Sequence, residues 1–437
     1  MKNLLMLLGL VLSTAFQAQI LSVTPAFPTQ NDTVTIVYNA AEGNAALVGL
    51  SPVYAHAGLI TSASTSPTNW QFVQGSWGQP TAKVLMTSLG NNKHRIKYHI
   101  PSFYGFPAGT QVQQLAFVFR NAAGTVVGRS ADGSDIYYSV YPANAGLLAA
   151  FFAPSGPQIA NPGDTIGLVA ASNQPATLKV YDNGILKTTV TNATALNYDL
   201  VASSPGQHTV VLEASSGTLM AYDTLYYTGN PIQMVAPVPA GWLDGANYLN
   251  DSTVGLVLRA PFKEFVYVLG DFNDFLPASS HFMNMSPDGQ RFWLQVAVSP
   301  GQSYAYQYWI DGAIKVADPF AELILDPNSD GGIPLGTWPG LHPYPNGKTT
   351  GFCALLRPGK TEYSWKNSNF IPPGKADLII YELLVRDFIA ARNYQALIDT
   401  LGYLQRLGIN AIELMPNSEF ENNESWGYNP SFHMALD

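Results

Sequence analysis

The hydrophobic pattern changes once along this chain, and that break limits the possible folds more than any other feature. Before about residue 375, apolar residues come in short alternating runs such as "DTVTIVYNA" and "QQLAFVFRNAAG", cut at close intervals by Gly, Asn and Asp. Period-two alternation with such punctuation predicts antiparallel strands packed as β-sandwiches. After Lys375, "ADLIIYELLVRDF" is apolar without alternation, as in a strand buried on both faces. Tyr394, Leu397, Ile398, Leu401, Leu404 and Leu407 then recur at helical spacing, with Asn393 placed to cap the helix and Gly408 to stop it. "INAIELM" follows as a second buried strand. Strand, amphipathic helix and strand on short connections make a βαβ unit, which implies a parallel sheet. One unit cannot close or cover such a sheet, so this region is expected to be the start of an α/β domain whose remainder is absent.

At 437 residues the chain has room for about three domains. Residues 20–141 read as one β-sandwich. Residues 146–228 read as a second, immunoglobulin-like one, in which Asp182-Asn183-Gly184 is a strong hairpin signal. A third β unit, 242–330, holds "EFVYVLGDFNDFLP" and "YAYQYWIDGAIKVADPF", and turn-dense chain at 331–375 connects it to the βαβ region at 376–437. Ahead of these, Lys2 precedes an apolar run from Leu4 to Leu12 and then Ser13, Thr14, Ala15 and Ala18. That order predicts a cleaved secretory signal over 1–18 and an exported protein, periplasmic or extracellular. No later stretch approaches the ~20 apolar residues of a membrane span.

Cys353 is alone, which excludes an intramolecular disulfide and a thiolate metal cage. Charged residues make up only 12%, the net charge is −9, and Tyr (23), Phe (21) and Trp (8) are plentiful. An acidic, weakly charged chain is a poor partner for nucleic acid, whose binding begins with phosphate neutralisation. It suits a neutral polar ligand such as a glycan, while the oligomeric state stays open.

Several catalytic signatures fail. Gly347-Lys348-Thr349 lacks the phosphate-loop glycine, since His342 stands there. G-x-S-x-G and H-E-x-x-H are absent, and the seven histidines are scattered. "DPNSDG", Asp326 to Gly331, mimics half a calcium loop. The glutamate such a loop needs is Thr337, and Pro327 stiffens the turn, so a plain turn is expected. No cofactor and no metal are expected.

"ADLIIYELLVRDF", "LGINAIELMPNSEF" and "SWGYNP" together resemble the opening of the catalytic barrel of glycoside hydrolase family 13, the alpha-amylase family. "VYVLGDFNDF" and "YQYWIDGAIKVADPF" are similar to the carbohydrate-binding family 48 modules that precede this barrel in branching and debranching enzymes. "VYAHAGLI" and "LAFVFRNAAG" resemble the starch-binding β-sandwiches of secreted amylases. One departure is Leu384, where the family often has histidine. The resemblance implies a multidomain protein: immunoglobulin-like sandwiches followed by an incomplete (β/α)8 TIM barrel. It also implies an alpha-glucan substrate and a retaining mechanism with two carboxyls ~5 Å apart. The family places those carboxyls after later barrel strands, so no catalytic residue is assigned and the 437-residue chain alone is expected to be inactive. A non-catalytic secreted glucan-binding protein is the competing reading, and branching, debranching and hydrolysis stay unseparated.

By the same resemblance, Tyr428 is expected to stack on a sugar, with Trp426 and Asn429 beside it. Trp70 and Trp77, flanking "QFVQGS", are candidates for a flat glucan platform, with Tyr54 nearby. Tryptophans in sandwiches are more often core. Glu413, Glu419 and Glu421 invite a reading as a catalytic pair that their family positions do not support. The "GDFND" loop at Gly270 reads as a hairpin feature, with Phe272 and Phe275 as further candidates for glucan contact.

Overall fold

A computed structural model describes residues 19–154, 158–361 and 363–437. The expected signal segment, 1–18, lies outside the described residues. The described residues form several β-sheets and few helices. Two compact units divide the chain, one ending at Gly229 and one starting at Asn230.

In the first unit, a four-stranded antiparallel sheet orders Leu21–Thr24, Thr33–Asn39, Lys93–His99 and Thr87–Gly90. A five-stranded sheet orders Gln71–Gln74, Tyr54–Thr61, Val112–Arg120 and Val127–Gly128, and Ile136–Ser139 also pairs with Val112–Arg120. Alternation aims Val34, Ile36 and Tyr38 of one sheet and Leu59, Phe117 and Phe119 of the other into one core. The Tyr38 and Phe119 rings stack at 3.9 Å.

The remainder of this unit is a single six-stranded sheet rather than two separate ones. Thr165–Asp182 runs beside Ile185–Val201 along most of its length, and it pairs at opposite ends with Ala149–Ala153 and Gly206–Ser216. Register shifts between Ala171 and Leu178 bend these long strands, and the sheet curls around Leu168, Leu178, Leu196 and Leu212. The expected hairpin is present: Asn183 and Gly184 both take positive φ, and Asp182 pairs with Ile185.

In the second unit, Gly245–Asn250, Thr253–Arg259, Arg291–Ala297 and Asn284–Met285 form one antiparallel sheet. Val266–Gly270, Tyr304–Ile310, Cys353–Leu356 and Ile324–Leu325 form the facing one. Their shared core includes Leu256, Val268, Phe292, Tyr306 and Tyr308. Asp318 is buried there and accepts hydrogen bonds from the Tyr306 and Tyr308 hydroxyls at 2.8 and 3.0 Å, which satisfies a polar group that burial would otherwise penalise.

Ile380–Leu383 and Ala411–Leu414 pair in parallel across the helix Tyr394–Arg406. Asn393 caps that helix by accepting from the Ala396 N–H at 2.8 Å, and Gly408 leaves it at a φ of 92°. The first strand is shorter than its apolar run, because Val385–Phe388 turns into a short helix. It is also not buried on both faces. Ile379, Ile380, Ile398 and Leu401 are exposed, and Leu383, Leu397 and Leu404 form a small core.

Candidate functional site

The site begins with the alternation of Tyr54–Thr61. Its odd-numbered residues face the core, so Tyr54, His56 and Gly58 share the outer face, next to Ala116, Val118 and Arg120 of the neighbouring strand. Gly58 leaves room for a ring. A Cβ there would sit 2.9 Å from Trp70 Cε3, so the indole lies directly on the strand. Trp70 also contacts Tyr137 edge-on, with ring centroids 6.4 Å apart.

The following loop is anchored from beneath. Arg120 is 0% exposed, and its guanidinium donates to the carbonyls of Ser76, Gln79, Asn121 and Ala122 at 2.7–3.0 Å. It lies 5.5 Å from the Tyr54 ring and 5.9 Å from the Trp77 ring. The loop carrying Trp77 is thereby fixed, with that indole 48% exposed. His56 stands between the tryptophans, 5.9 Å from Trp70 and 5.3 Å from Trp77. These residues, with Asn69 and the ion pair of Arg129 with Asp135, line an open cleft of about 360 Å³.

Trp70 and Trp77 both line this cleft, one on each side of His56. Tyr54 does not join them: it is buried behind Arg120 and supports the site from below. His56 and Arg120 were missed. Both lie in the two quoted runs, but only strand pairing reveals that they share the outer face.

Trp426, Tyr428 and Asn429 belong to the second unit, in the loop after Ala411–Leu414. Trp426 and Tyr428 are 64% and 65% exposed. Gly427 is required between them, since its φ is 83° and a Cβ would lie 2.1 Å from the Pro416 carbonyl oxygen. Asn429 accepts from the Ser425 hydroxyl, and Arg386 donates to the Ser425 carbonyl at 2.9 Å, so both groups shape the loop. Glu413 is exposed. Glu419 is buried with Asp326, Asp330 and Asp437 for electrostatic neighbours, and burial followed by their repulsion pushes its carboxyl up to about 8. In the "DPNSDG" turn, Asp326 and Asp330 carboxylates accept backbone N–H groups of Asn328 and Asp326, each at 2.8 Å. Phe275 is buried and out of reach of a ligand, while Phe272 stacks on His281 at 4.9 Å.

Strand pairing also assembles a Ser–His–Asp constellation invisible in the sequence. His208 Nδ1 is 2.6 Å from Asp182 Oδ1, and Nε2 is 3.0 Å from Ser204 Oγ. Nε2 is equally 3.0 Å from the Ser204 carbonyl oxygen, which calls for an N–H there and not the lone pair of a general base. Tyr227 also donates to Asp182, at 3.2 Å, so the cluster ties a hairpin end together. Among the described residues no group of His, Cys, Asp and Glu is arranged to hold a metal ion. No helix among them is long and apolar enough to cross a membrane.

The relatives of this chain are alpha-glucan-active enzymes of the alpha-amylase family. Malto-oligosyltrehalose trehalohydrolase of Saccharolobus solfataricus is 30% identical over 125 residues, 28% of this chain and 20% of that protein. Isoamylase 1 of Arabidopsis thaliana is 28% identical over 174 residues, 38% and 19% of the respective chains. The 1,4-alpha-glucan branching enzyme GlgB of Nitrosomonas europaea is 36% identical over 95 residues, 19% and 13% of the respective chains. The chain thus spans about a fifth of the length of the first two relatives. Residues 21–127 match a family described as a domain of unknown function, DUF8578. Among solved structures, a putative alpha amylase from Salmonella typhimurium is similar at 25% identity and a TM-score of 0.33, covering 44% of this chain and 28% of that one.

Proposed function

We propose that this chain is a portion of an exported, alpha-glucan-active protein of the alpha-amylase family, and that the cleft of its first unit binds glucan. In this reading the first sandwich is a starch-binding module and the curled six-stranded sheet that follows it is a spacer. The sandwich at 242–330 is a family 48-like module, and the βαβ region opens a (β/α)8 barrel. The observation that carries the binding role is the placement of Trp70 and Trp77 on either side of His56 in one open cleft. Indole faces suit the C–H faces of pyranoses, and the polar groups between them match the hydroxyl edges. Both guanidiniums of the site are engaged, Arg120 by carbonyls and Arg129 by Asp135, which favours a neutral ligand over an anion. Tyr428 and Trp426 present a second aromatic surface at the carboxyl end of a parallel strand, the end where α/β domains bind ligands. Their place in the family motif supports a sugar contact there.

Single tryptophan substitutions test the binding role. A stacked ring contributes ~1 kcal/mol or somewhat more, so Trp77→Ala is expected to weaken retention on insoluble starch severalfold to tenfold. Because Trp77 is half-exposed, the melting temperature should stay near that of the wild type. Trp70→Ala uncovers the strand at Gly58 and is expected to weaken retention and also to lower stability, by about 2 kcal/mol. Unchanged retention in both folded variants would remove the cleft from consideration.

A further inference from the structure

Resting on the glucan reading of the cleft, we infer that His56 is its hydrogen-bonding residue, accepting a sugar hydroxyl at Nε2 while the ring of that sugar stacks on a flanking tryptophan. His56 Nδ1 lies 2.6 Å from the Gly75 carbonyl oxygen, which can only accept, so Nδ1 carries the hydrogen. In the neutral ring the lone pair is then on Nε2. Among the described residues no group bonds Nε2, although His56 lines the cleft between the two indoles. The imidazole is therefore locked in one tautomer, held in place by Trp70 and Trp77, and left with one acceptor atom to offer.

The surroundings keep the ring neutral. Burial lowers its pKa below the usual histidine value, and Arg120 pushes in the same direction. The Gly75 carbonyl and Asp135 pull it upward without overcoming burial. Arg129 pairs with Asp135, and Tyr137 donates its hydroxyl to the Pro67 carbonyl at 2.8 Å. A neutral acceptor beside two indoles selects a hydroxyl donor. A glucose unit offers both that donor and an apolar face.

The test uses the full chain and maltotriose, titrated at pH 7 and followed by tryptophan fluorescence. His56→Asn is the informative variant. Its amide N–H reaches the position of Nδ1 and preserves the link to Gly75, but nothing replaces Nε2. We expect affinity about tenfold weaker, as for loss of one well-placed hydrogen bond, with the melting temperature within a few degrees of the wild type. Wild-type affinity in His56→Asn would overturn the assignment. A second readout needs no variant. A hydroxyl hydrogen bonded to the Nε2 lone pair perturbs that nitrogen directly, so saturating maltotriose should shift the His56 Nε2 resonance seen by ¹⁵N NMR at pH 7 while Nδ1 keeps its hydrogen. An Nε2 resonance that saturating maltotriose leaves unmoved overturns the assignment even where Trp77→Ala has weakened binding to the cleft. No binding of maltotriose or starch by the wild type overturns the glucan reading and this inference with it.

Discussion

Arg120→Ala is expected to cost the first sandwich about 4 kcal/mol or more and to lower its melting temperature by roughly 15 °C. The guanidinium is completely buried with no carboxylate partner among the described residues, and four backbone carbonyls converge on it. Removing it strands those carbonyls, and each unsatisfied buried acceptor costs ~1–3 kcal/mol unless water reaches it. It also opens a void between Tyr54 and Trp77 and releases the loop that carries the exposed indole. Arg120→Lys keeps the charge but loses the planar fork that reaches the carbonyls of Ser76 and Gln79 together with those of Asn121 and Ala122, so it should recover only part of the loss. Thermal melts of both variants, followed by tryptophan fluorescence, check the order wild type, Lys, Ala. An alanine variant that melts within two or three degrees of the wild type would show that the loop does not depend on this residue.

The second large effect is expected in the last third of the chain. Under limited trypsin treatment, the first cuts should fall at Lys360, Lys366 or Lys375, with both antiparallel sandwich regions surviving as fragments. Tyr363, Trp365, Phe370 and Ile371 are all exposed along this connection. Beyond it, the parallel pair has only two strands, a number that is marginal alone in water. The helix leaves Ile398, Leu401 and Leu407 facing solvent, and only Leu383, Leu397 and Leu404 are buried in its core. Parallel strands depend on cover from both sides, and here Ile379 and Ile380 lack it. Early cutting inside Lys93–His99 or Arg291–Ala297, with the connection intact, would contradict this picture.

Local rules made much of this fold legible. Asn183-Gly184 specified a turn because both residues tolerate positive φ, and Asn393 specified a helix start because its side chain reaches the Ala396 N–H. The strict alternation of Lys93–His99 is reproduced residue by residue in its burial. What stayed hidden depends on pairing between distant segments. His56 faces Val118 and Tyr54 faces Arg120 only in the observed register, and no spacing in the sequence announces it. Tyr54 looked available for the same reason, and is buried. The meeting of Asp182 with His208 likewise follows from adjacent long strands. The apolar run at Ile380 was read as doubly buried because its composition suits a covered parallel strand. Burial, however, is decided by which elements pack on the strand.

Retention of the full wild-type chain on insoluble starch tests the glucan reading most directly, measured at about 50 mM and about 500 mM salt with soluble maltotriose as competitor. A neutral ligand held by stacking and hydrogen bonds involves little counterion release, so retention should be nearly the same at both salt concentrations and should fall as maltotriose is added. A chain that passes through starch unretained, or one whose retention disappears as salt rises and ignores maltotriose, would contradict it.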